Sequence, residues 1–180
     1  IKINIDNNDF EIISMGHRNP QGLYFDKDND FILETEHGPK GGDEINFNFL
    51  STKTPKNFGW PISSYGVPYE RDKNEKYKKS HKKYGFEEPI KVYTPAIGIS
   101  EIQFIEKNNK FENQKILLVS SLRAASIYIV YLDNKFSLIE KKDRIFFSGQ
   151  RIRDLKYDKE MNKIFMIFEV TPSFAVLDLN

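Results

Sequence analysis

The stretch GHRNPQG, residues 16–22, concentrates polar side chains between two hydrophobic runs. Arg18 can clamp a carboxylate or polarise a carbonyl, because a guanidinium offers its donors in a fixed fork. Asn19 and Gln21 can add directional hydrogen bonds. The alternative is a simple turn, in which Asn-Pro starts the reversal and Gly22 opens the next strand. Taken alone, the motif slightly favours the turn.

The stretch EHGPKGGDEIN, residues 36–46, combines three glycines and a proline with acidic residues. A glycine-rich turn can direct several backbone carbonyls at one point, and Ca²⁺ binds such oxygens together with carboxylates. Glu36, Asp43 and Glu44 offer those carboxylates. The spacing is not that of an EF-hand loop, however, and a wide hairpin loop explains the same residues.

The stretch RIRD, residues 151–154, alternates two arginines with an apolar residue. In a strand, Arg151 and Arg153 lie on one face and Ile152 on the other. Two like charges on one face are unfavourable unless an anion lies between them. A ligand with several carboxylates fits this requirement, and so does pairing with Asp154 or another acid of the chain. Both interpretations stay open.

The elements that position these residues are predicted to be strands. Short runs rich in Ile, Val, Phe and Tyr are separated by Asn, Asp, Lys and Gly, and no long segment has a helical period. A strand, a charged turn and a more hydrophobic strand recur from near residues 22, 101 and 154. This weak repeat predicts an all-β fold, a β-propeller of four-stranded blades with about three blades present.

Composition limits the classes of protein that fit. The chain has 180 residues, 39% of them hydrophobic, so it is expected to fold as a single domain over residues 1–180. Its net charge of +1 gives no case for a nucleic-acid or membrane partner. No apolar run reaches the roughly 18 residues of a membrane span. The three histidines, His17, His37 and His81, lack the close spacing of a metal site.

A basic insertion is predicted at about residues 67–90. It contains RDKNEKYKKSHKKYG, residues 71–85, in which tyrosines are interleaved with lysines. Such a segment can contact phosphate or nucleic acid. A solvated surface loop is the favoured interpretation, because charges elsewhere in the chain cancel the local excess.

Six motifs in a fixed order carry a family resemblance. GHRNPQGLYFD, TEHGPKGGDEIN, NFGWP, YTPAIGIS, LLVSSLR and RIRDL together resemble the glucose/sorbosone dehydrogenase family, from about Ser14 to Val170. These are soluble, PQQ-dependent aldose sugar dehydrogenases with a six-bladed β-propeller. The resemblance also implies a periplasmic or secreted protein.

The resemblance implies a role for each motif. PQQ is a planar quinone with three carboxylates, and the residues implied to bind them are Arg123, Arg151 and Arg153. Those implied at the quinone carbonyls are Arg18 and Asn19, with Gln21 as a weaker contact. The backbone carbonyls of Gly38 and Pro39 are implied to bind calcium, and Asp43 is implied on the substrate side. The implied reaction is hydride transfer from the anomeric carbon of an aldose sugar to the quinone, with Ca²⁺ as Lewis acid.

The chain also departs from the family pattern. The family's general base is a histidine of an early blade, in a region that this sequence does not contain, and His17 and His37 belong to other motifs. Arg123 stands where lysine is frequent, and IGISE, residues 97–101, replaces IAPSG near the substrate side. The match is to the C-terminal half of the family.

Half a propeller leaves apolar blade faces uncovered. We therefore expect the chain to need either the missing N-terminal half or a second copy in a homodimer. Sugar oxidation by the chain alone is not expected. A non-catalytic propeller fragment, or a binding module that keeps the scaffold, is the alternative function.

Overall fold

Strands account for most of the structure. The computed structural model describes residues 1–52, 54–72, 74, 76–105, 115–139 and 143–179. The strands are β1 (Lys2–Ile3), β2 (Phe10–Glu11), β3 (Ser14–Met15), β4 (Pro20–Asp26), β5 (Phe31–Glu36), β6 (Asp43–Phe49), β7 (Lys56–Asn57), β8 (Lys91–Tyr93), β9 (Ile99–Ile105), β10 (Lys115–Ser121), β11 (Ser126–Leu132), β12 (Arg144–Phe147), β13 (Ile152–Asp158), β14 (Lys163–Phe168) and β15 (Ser173–Asp178). Two 3₁₀ turns cover Glu70–Asp72 and Lys82–Tyr84.

Three antiparallel sheets follow one another along the chain. The first has the order β4-β5-β6-β8, the second β9-β10-β11-β12 and the third β13-β14-β15. Two small pairs, β1-β2 and β3-β7, lie outside them. The predicted all-β fold and its repeated antiparallel sheets are confirmed. The first two sheets have the predicted four strands, and the third has three within the described residues.

Two hydrophobic cores hold the three sheets together. One lies between the first and second sheets and includes Leu33, Ile45 and Leu117. The other lies between the second and third sheets and includes Leu118 and Ile164. Strand β10 supplies alternate residues to both cores, which explains why its apolar run is unbroken.

The first strand of each sheet begins at the same end of the molecule. Gly22, near the start of β4, packs so closely on the start of β9 that a Cβ would lie 2.6 Å from the carbonyl oxygen of Ser100. The Ser100 hydroxyl donates to the carbonyl of Ile152, at the start of β13, over 2.7 Å. Because neighbouring strands are antiparallel, the turn between the second and third strands of each sheet also lies at this end.

Hydroxyl groups connect the sheets at this end. Thr35 Oγ1 accepts from the N–H of Gly22 at 2.9 Å and donates to the carbonyl of Ser100 at 2.5 Å. In the next sheet Ser120 Oγ accepts from the N–H of Glu101 at 3.0 Å and bonds to the Ser100 hydroxyl at 2.8 Å. The Thr35 hydroxyl therefore joins the first sheet to the second, and the Ser100 hydroxyl, which Ser120 contacts, joins the second to the third.

Each first strand is also irregular near its start. The pairing of β4 with β5 skips Gln21, and the pairing of β13 with β14 skips Arg153. The register of β10 against β9 shifts between Val119 and Ser121. Extra residues of this kind are β-bulges, which redirect side chains and are frequent beside active sites. Two predicted ligand contacts, Gln21 and Arg153, are the extra residues themselves.

The segment between β6 and β8 contains the predicted basic insertion. Single bridges pair Lys40 with Val67 and Ser63 with Lys78, and His81 is buried. The segment therefore packs against the turn that follows β5. Lys73 and Glu75 of the basic stretch lie outside the described residues. In the part of the chain that the structure describes, no helix is both long and apolar enough to cross a membrane.

The strand prediction is wrong in places. The strands β7 and β8 are not predicted, because their two and three residues form no apolar run. The run KFSLIE, residues 135–140, predicts a strand, but the described part of it forms a turn with one bridge, between Leu132 and Leu138. Residue 140, and residues 106–114 of the predicted longer turn, lie outside the described residues.

Replacement of Thr35 by valine tests the hydroxyl link between sheets. The variant leaves the buried Gly22 N–H and Ser100 carbonyl without their partner, at a cost of about 2 kcal/mol. Urea unfolding is expected to show a lower midpoint with an unchanged slope. Thr52→Val is the control, because the Thr52 hydroxyl bonds to the carbonyl of Phe49 in an exposed loop. Equal effects of the two substitutions would contradict this account.

Candidate functional site

The first two motifs meet at Arg18. Its Nη1 donates to the carbonyls of His37 and Gly38, each at 2.9 Å. Its guanidinium carbon lies 5.2 Å from the ring centre of Trp60, which is partly exposed. Its Nε is buried and has no partner among the described residues. Arg18 therefore keeps one oriented donor free while two carbonyls and a ring hold the side chain.

Glu36 fixes the backbone that carries Arg18. Its Oε2 accepts from the N–H of Arg18 at 2.5 Å and from the N–H of Asn19 at 3.3 Å. The N–H of His37 in turn donates to the carbonyl of Asn19 at 3.0 Å. Sequence reasoning gave Glu36 only a place in a cation-binding turn and missed this positioning role. The loop and the carboxylate are too far apart in sequence to reveal it.

Asn19 and Gln21 are exposed beside Arg18. Gln21 Nε2 donates to Asn19 Oδ1 at 3.1 Å and to the carbonyl of Pro20 at 3.0 Å. One hydrogen bond therefore joins the two side-chain amides at the surface. They are accessible to a ligand that replaces this mutual bond.

The Gly38–Pro39 turn is rich in carbonyl oxygens. A Cβ at Gly38 would lie 2.3 Å from the oxygen of Gly42 and 2.4 Å from that of Gly41, so only glycine fits this position. The Gly38 carbonyl accepts from Arg18, and the Pro39 carbonyl accepts from the hydroxyl of Tyr69 at 3.3 Å.

Asp43 is buried, with only 1% of its surface exposed. Its Oδ2 accepts from the N–H groups of Gly98 and Ile99 at 2.8 and 3.1 Å. Arg123 holds the same loop from the other side, because its N–H donates to the carbonyl of Ile97 at 3.0 Å. The carboxylate thus fixes the IGISE loop, while the Arg123 side chain is exposed.

Arg151 and Arg153 meet one carboxylate. Glu169 lies just after β14. Its Oε2 accepts a hydrogen bond from Arg151 Nε and its Oε1 accepts one from Arg153 Nη2, each at 2.5 Å. Hydrogen bonding to Arg151 holds the pKa of Glu169 below its ordinary value, and Arg153 adds to this effect. Ile152, between the two arginines, is buried. The anion between the arginines is therefore Glu169 and not Asp154.

Beneath the first loop lies a buried group that we call the His17 cluster: His17, Glu34, Glu36 and Asn46. His17 Nδ1 is 3.6 Å from Glu34 Oε2 and 3.8 Å from Glu36 Oε1. Asn46 Nδ2 donates to the same two oxygens at 3.1 and 3.0 Å. Burial raises the pKa of Glu34 well above its ordinary value, and the charge of Glu36 adds to the rise.

A second buried histidine lies behind the Arg18 loop. His81 Nδ1 is 2.8 Å from the carbonyl oxygen of Phe58, and His81 Nε2 is 3.4 Å from Glu44 Oε1. Burial raises the pKa of Glu44. This pair connects the basic insertion to β6 and was not foreseen from the sequence.

Known proteins match this chain over most of its length. A family model described as glucose/sorbosone dehydrogenase matches residues 2–172. The chain belongs to the glucose/sorbosone dehydrogenase family. The family predicted from the six motifs is therefore confirmed.

Several relatives of the family resemble the chain in sequence. Aldose sugar dehydrogenase YliI of Escherichia coli is 30% identical over 147 residues, covering 81% of this chain and 38% of that protein. The uncharacterized protein slr1608 of Synechocystis sp. is 31% identical over 146 residues, covering 81% and 34%. Quinoprotein glucose dehydrogenase B of Acinetobacter calcoaceticus is 50% identical over 50 residues, covering 28% and 9%.

Solved structures of the family share the fold. A glucose dehydrogenase crystal structure aligns with a TM-score of 0.72 at 24% identity, over 92% of this chain and 45% of that chain. The apo-form of the soluble aldose sugar dehydrogenase of Escherichia coli aligns with a TM-score of 0.68 at 25% identity, over 89% and 44%. The β-propeller fold is confirmed, and the chain spans less than half the length of these proteins.

Substitution of Glu34 by glutamine tests the electrostatics of the His17 cluster. Because the folded-state pKa of Glu34 lies above the ordinary value of 4.5, its ionisation costs stability as the pH rises through that raised pKa. In buffer with EDTA, Glu34→Gln is expected to raise Tm at pH 7 by about 3 °C, or about 1 kcal/mol for a domain of this size. The gain should vanish near pH 4.

The exposed Glu160 provides the matched control for this experiment. Glu160→Gln is expected to leave Tm unchanged at both pH values. A Tm difference for Glu34→Gln that is constant with pH, or that grows on acidification, would show that the Glu34 carboxylate is not destabilised by burial.

Proposed function

We propose that this chain supplies the PQQ- and Ca²⁺-binding part of an aldose sugar dehydrogenase. The observation that carries the proposal is the bond from Arg18 to the carbonyl of Gly38, which joins the two motifs implied to hold the quinone and the calcium ion. The names of two relatives support it, since one is an aldose sugar dehydrogenase and the other a quinoprotein glucose dehydrogenase.

The cationic residues suit a quinone with three carboxylates. Arg18 and Arg151 precede the first strands of their sheets, Arg153 lies near the start of β13, and Arg123 lies in the turn after β10. All four therefore belong to the same end of the three sheets. The free, buried Nε of Arg18 is a donor of the kind that such a ligand would satisfy.

The Gly38–Pro39 turn suits a calcium ion. Among the described residues, each of the two carbonyls accepts one hydrogen bond and keeps a second lone pair. Carbonyl oxygens are hard ligands of the kind that Ca²⁺ takes. Gly38 cannot be replaced without a clash, so the backbone at this position is fixed.

The residues of the chain would orient and stabilise the reacting groups. When bound, PQQ supplies a two-electron acceptor and Ca²⁺ a Lewis acid. Arg18 would donate to the quinone oxygen, where negative charge develops. Asn19 would add a neutral hydrogen bond, and Glu36 would hold the backbone of both residues in place.

No histidine of the site is available as the base that removes the sugar proton. His17 Nε2 bonds to the hydroxyl of Ser14 at 2.8 Å, and His37 Nε2 bonds to the carbonyl of Ile99 at 2.6 Å. We propose that the base comes from the remaining part of a longer protein, because a second copy of this chain would lack the same region.

Exposed apolar side chains support the need for a partner. Leu23 and Phe25 of β4 are 62% and 50% exposed, and Phe174 and Val176 of β15 are 84% and 54% exposed. The strands β4 and β15 belong to the first and third sheets, and each is an edge strand of its sheet. A missing half or a second copy would cover them.

We further propose a periplasmic or secreted location, on the family resemblance alone.

A non-catalytic binding module is the second candidate function. The pairing of Arg151 and Arg153 with Glu169 favours it, because both arginines already have an anionic partner within the chain. A scaffold that had lost its cofactor would retain such a group for stability. The two candidates differ in whether the chain binds PQQ.

Titration of the chain with PQQ in the presence of Ca²⁺ separates these candidates. We expect a shift of the quinone absorption with a micromolar Kd that weakens on removal of Ca²⁺. Arg123→Ala should weaken binding by about tenfold, which is about 1.4 kcal/mol for one charged contact. Lys135→Ala, in an exposed turn between β11 and β12, should not change it.

Absence of PQQ binding at micromolar concentration would favour the non-catalytic module. Equal weakening by Arg123→Ala and Lys135→Ala would show that the chain attracts the anion through bulk charge only. Reduction of a dye in the presence of aldoses then measures turnover. We expect none from the chain alone, because the base is absent from the described site.

Replacement of Glu169 by glutamine tests whether the two arginines receive a ligand carboxylate. Glu169 accepts a hydrogen bond from one nitrogen of each guanidinium group, so a PQQ carboxylate would compete with it for the two arginines. The substitution removes this competition and is expected to tighten PQQ binding severalfold at constant ionic strength. A Kd that weakens instead would mean that Glu169 only positions the arginines, and an unchanged Kd would exclude them from the site.

A further inference from the structure

The His17 cluster has the donor atoms of a metal site. One ligand atom each from His17, Glu34 and Glu36 lies within 4.8 Å of the others. A single ion at the centre of such a triangle is close enough to contact all three. The cluster is separate from the Gly38–Pro39 turn, since its donors are side chains and not backbone carbonyls.

Several polar atoms of the cluster have no hydrogen-bond partner among the described residues. They are His17 Nδ1, Glu34 Oε1 and Asn46 Oδ1. Glu34 is 9% exposed and Asn46 is 1% exposed. Buried polar atoms are almost always partnered, because an unsatisfied one costs free energy. Both Glu34 and Asn46 point into the cluster, as their mutual bond shows.

The arrangement of charge also favours a cation. Two carboxylates lie side by side in a buried setting, and one amide group, Asn46 Nδ2, donates to both. Rotation of the Asn46 amide by a half turn would exchange its Nδ2 for the unpartnered Oδ1. The cluster would then present one nitrogen and three oxygens to the same point.

A cavity gives an ion access to the cluster. It has a volume of about 230 Å³, and its lining includes Ser14, His17, Glu34 and Asn46. This space holds several water molecules, so an ion can enter hydrated and exchange its water for protein ligands.

We propose that His17, Glu34 and Glu36 bind a divalent transition-metal ion such as Zn²⁺, with the Asn46 carbonyl as a fourth ligand. A mixed set of imidazole nitrogen and carboxylate oxygen suits Zn²⁺, which takes four ligands. Ca²⁺ takes six to eight oxygens and is a poorer match. The ion would lock Glu36, whose other oxygen holds the backbone of Arg18 and Asn19.

Calorimetric titration of the EDTA-treated full chain with Zn²⁺ tests the proposal, with Ca²⁺ present throughout. We expect one equivalent to bind with a Kd of about 1 µM or tighter. Glu34→Gln should weaken binding at least tenfold, while Glu160→Gln should not change it. Thermal unfolding in EDTA checks that both variants are folded, so weaker binding cannot come from loss of structure.

Co²⁺ provides a second readout that reports on the ligands. The visible absorption of four-coordinate Co²⁺ should appear with the wild-type chain and disappear with Glu34→Gln. No Zn²⁺ binding at about 100 µM would overturn the proposal. Equal Zn²⁺ affinities of the wild type and Glu34→Gln would also overturn it, since the ion would then sit elsewhere. Neither experiment involves PQQ, so its outcome is independent of the proposed function.

Discussion

The close packing of the first strands of the three sheets is the constraint on which the rest of the structure depends. Gly22 contacts the backbone of Ser100, and the Ser100 hydroxyl reaches Ile152. Backbone groups at this junction are buried, so the hydroxyls of Thr35 and Ser120 must satisfy them. The same contacts bring the loops that precede the three strands to one end of the molecule, which is why residues distant in sequence can form a common site.

A single carboxylate connects this framework to the candidate site. Glu36 is the last residue of β5 and follows Thr35 directly. Its Oε2 accepts hydrogen bonds from the backbone N–H groups of Arg18 and Asn19. Its other oxygen belongs to the His17 cluster. The position of the Arg18 loop is therefore set by a buried residue of the neighbouring strand and not by the loop's own turn residues. The polar stretch at residues 16–22 is therefore bonded to a neighbouring strand and is more than a turn.

The sequence predicted the strands with strong local patterns and missed the features that depend on distant partners. The bounds of β9, β10, β11 and β12 agree with the apolar runs ISEIQFI, KILLVSS, SIYIVYL and RIFF. The strand β8 exists because three residues pair with β6, and nothing in their composition signals this. In the site, strand alternation predicted that Arg151 and Arg153 lie together, although Arg151 precedes β13 and Arg153 is the extra residue of its bulge. It did not predict their partner Glu169, because this residue is brought close only by the pairing of β13 with β14.

The ion pairs of Glu169 also affect how the chain responds to salt. Salt screens the attraction between unpaired arginines and an anion, so the affinity falls as ionic strength rises. Here Arg151 and Arg153 already hold a carboxylate of the chain. Any carboxylate that replaced Glu169 would exchange one fixed charge for another and leave the number of ion pairs nearly constant. Added salt would screen the outgoing and incoming pairs alike, so this part of the surface would discriminate between anions by shape and reach more than by charge.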